Sequence, residues 1–94
     1  MKLEDVVKNF FQVNITYNEH KAYYQNIEEF ALENNEGFAN VTSNDLNASG
    51  YRQRCIDTNT IWIAHVYPRT PVGFFRLCAP TFDELVAAMA NVHD

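Results

Sequence analysis

Few residues in this chain could do covalent or metal chemistry. Five offer a ligand or a nucleophile: His20, Cys55, His65, Cys78 and His93. Zinc needs three or four such groups converging on one point, and a thiol enzyme needs a cysteine within hydrogen-bond reach of a histidine. The two cysteines lack C-x-x-C spacing and are too few for a disulfide framework. Glu28 and Glu29 are adjacent, so a helix points them about 100° apart, on a wet face rather than across a substrate. The three glycines, Gly37, Gly50 and Gly73, are isolated and build no phosphate loop. No catalytic residue, cofactor or metal is therefore expected.

What remains is chemistry of recognition. Residues 60–78 read TIWIAHVYPRTPVGFFRLC. The alternation puts Trp62, Ala64 and Val66 in one phase and Ile63, His65 and Tyr67 in the other. The second phase, continued through Phe74 and Arg76, mixes apolar, aromatic and cationic groups. Arg69 sits in the YPRTP turn between the two runs. Arg and aromatic residues are enriched at interface hot spots, so Arg52, Arg54, Ile63, His65, Tyr67, Arg69, Phe74 and Arg76 are the candidates for contact with a partner. Glu28, Glu29 and Glu33 form a separate acidic candidate surface.

These groups need elements to position them. Leu3, Val6, Val7, Phe10 and Phe11 recur at helical spacing. QVNITYN alternates, as a short strand or an extended link does. A second helix is expected from about Asn18, which can cap it, to Asn34–Asn35, with the apolar stripe Tyr23, Tyr24, Ile27, Phe30 and Ala31. Gly37 offers a left-handed stop. Residues 37–50 read mostly as loop, with a short strand near 38–41 as one option. Three strands, about 51–56, 61–67 and 72–79, are expected to form an antiparallel meander through the turns DTNT and PRTP. Thr81-Phe82-Asp83-Glu84 is a capping box that opens a C-terminal helix lined by Phe82, Leu85, Val86, Met89 and Val92.

The expectation is a single α+β domain over residues 1–94. Its meander carries two N-terminal helices and one C-terminal helix, packed mainly on one face. Two-residue turns at 58–59 and 69–70 would set the rows Arg52–His65–Phe74 and Arg54–Ile63–Arg76 on one face. Cys55 would lie on the other with Trp62, away from His65 and Cys78. An even change of register preserves the faces; an odd slip exchanges them. The Arg-bearing face is expected to meet water, the acidic N-terminal half or another molecule.

Composition narrows the function classes. The 47% hydrophobic share and 13 aromatics suit a folded core. No apolar run reaches the roughly 18 residues of a membrane span, and MKLEDVVKNFF lacks the basic start of a signal peptide. The chain reads as cytoplasmic, and its three Asn sequons (Asn14, Asn40, Asn47) as unglycosylated. Net charge is −5, all of it in residues 1–50, which hold eight acids and three Lys. That argues against direct nucleic-acid binding and for a basic partner, such as a nucleic-acid-binding enzyme. The reading is a small acidic, non-enzymatic protein-binding module of inhibitor, immunity or adaptor type, a class that includes proteins of phages and other mobile elements. It would act through an exposed sheet face or an acidic helix. The alternatives are a homodimer through the Ile63 face, and a small-ligand binder or enzyme.

Overall fold

The structure, a computed structural model, describes residues 2–34, 38, 46–69 and 73–92. In chain order it has α1 (Leu3–Val7), β1 (Gln12–Tyr17), a 3-10 turn (Glu19–Ala22), α2 (Ile27–Glu33), α3 (Leu46–Thr58), β2 (Trp62–Tyr67), β3 (Phe75–Ala79) and α4 (Phe82–Ala90). The class is α+β, built on a three-stranded antiparallel sheet in the order β1-β2-β3.

One strand of that sheet differs from the expected one. Residues 51–56 are helical, inside α3, and the third strand is QVNITY. The cause is ambiguous periodicity. Tyr51 and Cys55 are four apart, so they share a face in a strand and also in a helix, and both are buried. The stop signal decides the matter. Asn59 adopts the left-handed conformation (φ 53°), Thr60 N–H donates to Cys55 C=O and Asn59 N–H to Ile56 C=O. This is a Schellman termination with Asn in the glycine position. DTNT is thus a helix end rather than a hairpin turn. In β1 the β-branched Val13, Ile15 and Thr16 suit a pleated surface.

Asn18 does not cap a helix. It too is left-handed (φ 55°), and it closes the β1–β2 ladder: its N–H donates to Ile61 C=O (2.8 Å) and its Oδ1 accepts from Ile61 N–H (2.9 Å). The cap of α2 is Asn26, whose Oδ1 accepts from Glu29 N–H (2.8 Å), while Glu29 reaches back to Gln25 N–H (2.9 Å). The helix ends at Asn34 as expected. Gly37 and most of the 37–50 segment lie outside the described residues, but Phe38 is a buried core residue, and residues 46–50 begin α3.

The hairpin β2–β3 pairs Ile63 with Cys78 and His65 with Arg76. This register is two residues beyond the one that a turn at 69–70 would give, so the faces are preserved. Gly73, at φ 86°, takes a backbone conformation that side chains disfavour just before β3. The Trp62 face carries Val13, Ile15 and Tyr17 from β1 and Phe75, Leu77 and Ala79 from β3. It is covered by α4, with Phe82 edge-on to Trp62 at 5.2 Å, and α1 lies beside α4. These two helices share one face as expected, whereas α2 lies on the other, where Phe30 and Ile63 line one recess, and packs against α3. No helix among the described residues is long and apolar enough to cross a membrane.

Candidate functional site

On the Ile63 face the chain encloses a recess of about 260 Å³. Its floor is Ile63, His65 and Arg76 from β2 and β3. Its roof is Glu19, His20, Tyr23 and Tyr24, from the 3-10 turn and the residues after it, with Phe30 from α2. The local folding follows from two backbone bonds: Lys21 N–H donates to Asn18 C=O (3.2 Å) and Tyr24 N–H to His20 C=O (2.7 Å). They curl the chain tightly after the left-handed Asn18, so that His20 turns inward. Tyr24 then meets Phe30 edge-on at 5.2 Å.

Arg76 holds the floor. Its Nε donates to His65 Nε2 (3.3 Å), which leaves the His65 proton on Nδ1, and its Nη1 donates to Asn34 Oδ1. No carboxylate pairs with it among the described residues. Burial pushes the His65 imidazole below its ordinary value; the Arg76 charge adds to this, and Glu19 opposes it. Burial, with Lys21 nearby, also lowers His20. His20 is 2% exposed and its Nδ1 has no hydrogen-bond partner among the described residues.

The sequence-derived candidates divide among several places. Ile63, His65 and Arg76 meet in the recess, and Phe74 flanks it, its ring 5.5 Å from both His65 and Tyr67. Arg52 and Arg54 do not join Ile63, because they ride on α3. Arg54 instead lies over Tyr51 and forms an ion pair with Glu84 of α4. Arg69 donates to Lys8 C=O (2.7 Å), tying the hairpin to the end of α1. Glu28, Glu29 and Glu33 are exposed on α2. Ile63 itself is 2% exposed, buried by the chain's own residues.

Sequence reasoning missed His20, Tyr23 and Glu19 as partners of His65. It read 19–25 as the first turns of a helix, where His20 has no special position. The Asn18-to-Asn26 interval, with a possible cap residue at each end, was the available signal.

The cysteines also move relative to expectation. With Cys55 on α3 rather than on the far face of the sheet, the two thiols come within electrostatic reach of each other. Both are free and buried. Burial pushes Cys55 up to about 12 and moves Cys78 in the same direction, so both stay protonated and poorly nucleophilic. Among the described residues no group of three His, Cys, Asp or Glu converges on a metal position.

A second surface lies at the sheet margin. Among the described residues β1 pairs with β2 alone, whereas β3 has α3 against it. Asn18 hydrogen-bonds to Ile61, so by antiparallel alternation the N–H and C=O groups of Val13, Ile15 and Tyr17 point away from β2. The strand holds no charge and no proline. Exposed Phe11 (76%) precedes it, and half-exposed Tyr17 (50%) ends it, 4.8 Å from Trp62. Compared with protein-family models, with curated proteins and with solved structures, the chain gives no match.

Proposed function

We propose that the chain is a small, non-enzymatic, cytoplasmic protein-binding module of inhibitor, immunity or adaptor type, and that its partner adds an extended strand to β1. The observation that carries this reading is the edge of β1, uncharged, unpaired among the described residues and with aromatic side chains at both ends. Most proteins blunt such an edge with Lys, Pro or a covering helix, because its unpaired backbone groups template further pairing. Backbone hydrogen bonds would supply affinity, and Phe11 and Tyr17 specificity. The acids of α2 would favour a basic partner. The free, buried thiols suit a reducing compartment.

The test is capture from a native lysate with wild type, Asn14→Lys and Ile15→Pro, each verified as folded by circular dichroism. The lysine charges the edge, and the proline deletes one outward N–H without removing a bond to β2. A protein held by the wild type and released by both variants is the expected result. Equal retention by all three moves the interface away from β1. Sedimentation of the purified chain adds one further outcome: a dimer that Asn14→Lys dissociates would make the partner a second copy.

A further inference from the structure

The recess on the Ile63 face has the parts of a small-molecule site, independent of the β1 edge. Arginine carries five N–H donors, and Arg76 uses Nε and one Nη1 hydrogen within the chain. The remaining three, half-buried at the floor, have no partner among the described residues. An arginine in that state is the standard means of gripping a carboxylate through two parallel bonds. The second observation is His20. A side chain 2% exposed with an unpaired Nδ1 is costly to fold, by about 1–3 kcal/mol, and it lines the same recess. Nδ1 is itself shut off from solvent, so a ligand polar atom would remove that cost only if the imidazole turned Nδ1 toward the recess. Tyr23, Tyr24 and Phe30 of the roof and Ile63 of the floor suit an apolar or aromatic body.

Size and charge select among anions. The volume of about 260 Å³ lies below the roughly 300 Å³ at which drug-sized sites begin. Glu19 lines the recess and the chain is net negative, so a polyanion such as phosphate is repelled more strongly than a single negative charge on Arg76. We infer that the recess binds a small monocarboxylate with an aromatic or branched apolar body, its carboxylate on Arg76 and its body between Phe30, Tyr24 and Ile63.

The experiment is an NMR titration of the full chain with benzoate as probe, and with benzyl alcohol and inorganic phosphate as contrasts. Benzoate is expected to shift the Arg76 Nε–H and the amides of His20, Tyr24, Phe30, Ile63 and His65 saturably, below about 20 mM. Arg76→Gln should weaken binding at least about tenfold, as should replacing benzoate with benzyl alcohol, because each removes the charge-assisted pair. Glu19→Gln changes an exposed residue and leaves the floor intact, so it covers the case of an Arg76 variant that fails to fold. It should tighten benzoate binding about threefold by removing a like charge. Absence of saturable shifts in the wild type overturns the inference. So does equal affinity for benzyl alcohol, tighter binding of phosphate, or a Glu19→Gln variant that binds benzoate no better.

Discussion

Asn18 shows how one side chain can hold two structural roles. Its left-handed backbone turns the chain out of β1, and its Oδ1 satisfies Ile61 N–H where the ladder ends. The roles separate by substitution. Asn18→Gly keeps the conformation and loses the hydrogen bond, at a cost of about 1 kcal/mol. Asn18→Ala loses the bond and also strains the backbone, adding about another 1 kcal/mol. Urea denaturation should therefore rank wild type above Asn18→Gly above Asn18→Ala, and equal stabilities for the two variants would show that the left-handed geometry carries no cost. From the sequence, Asn18 was legible as a residue that punctuates structure. Whether it started a helix or closed a ladder depended on Ile61, 43 positions later, which no local rule reaches.

At the scale of elements, α4 was the most legible and α3 the least. Thr81 caps α4 by accepting from Glu84 N–H (3.2 Å), and its hydroxyl donates to the Glu84 carboxylate (2.8 Å). Burial works against the charge on Glu84, but hydrogen bonds from Arg54 and Thr81 and the Arg54 charge outweigh it, so its carboxyl sits below the ordinary value. The capping box was readable because all its parts lie within four residues. Its further tie to Arg54 was not, because that tie needs α3 to be a helix. Gly50 tests the helix directly. It lies inside α3, and nothing stands within 4 Å of where a Cβ would be. Gly50→Ala should then stabilise the fold by about 0.5–1 kcal/mol, seen as a rise in the denaturation midpoint. A strand or loop at this position gives no such gain, so a fall in stability would contradict α3.

For the molecule as a whole, the covered Ile63 face makes folding sensitive to mild acid. His20 and His65 both sit below the ordinary imidazole value of 6.5, chiefly through burial. The folded chain therefore resists their protonation and the unfolded chain does not. Stability is complete above 6.5 and falls as pH drops through that value toward the lowered folded-state values. Thermal denaturation at pH 7.5 and at about pH 5.5, before ordinary carboxylates titrate, should show a lower midpoint in acid. A His20→Gln variant should lose part of that difference. A midpoint unchanged between the two pH values would mean that neither imidazole is held neutral by the fold.

The sequence by itself determined the class, the antiparallel hairpin of residues 61–79, the separation of an uncharged Trp62 face from an Ile63 face bearing Arg76, and the start of α4. All of these rest on side-chain alternation and on capping residues a few positions apart. Tertiary structure decided which segment pairs with β2, and what covers Ile63. Tyr51 and Cys55 satisfy helix and strand periods equally, and the competition between 12–17 and 51–56 for one edge of β2 is settled by long-range packing. The recess follows from that choice: only with β1 at the edge does the chain curl at Asn18 and carry His20, Tyr24 and Phe30 over Arg76.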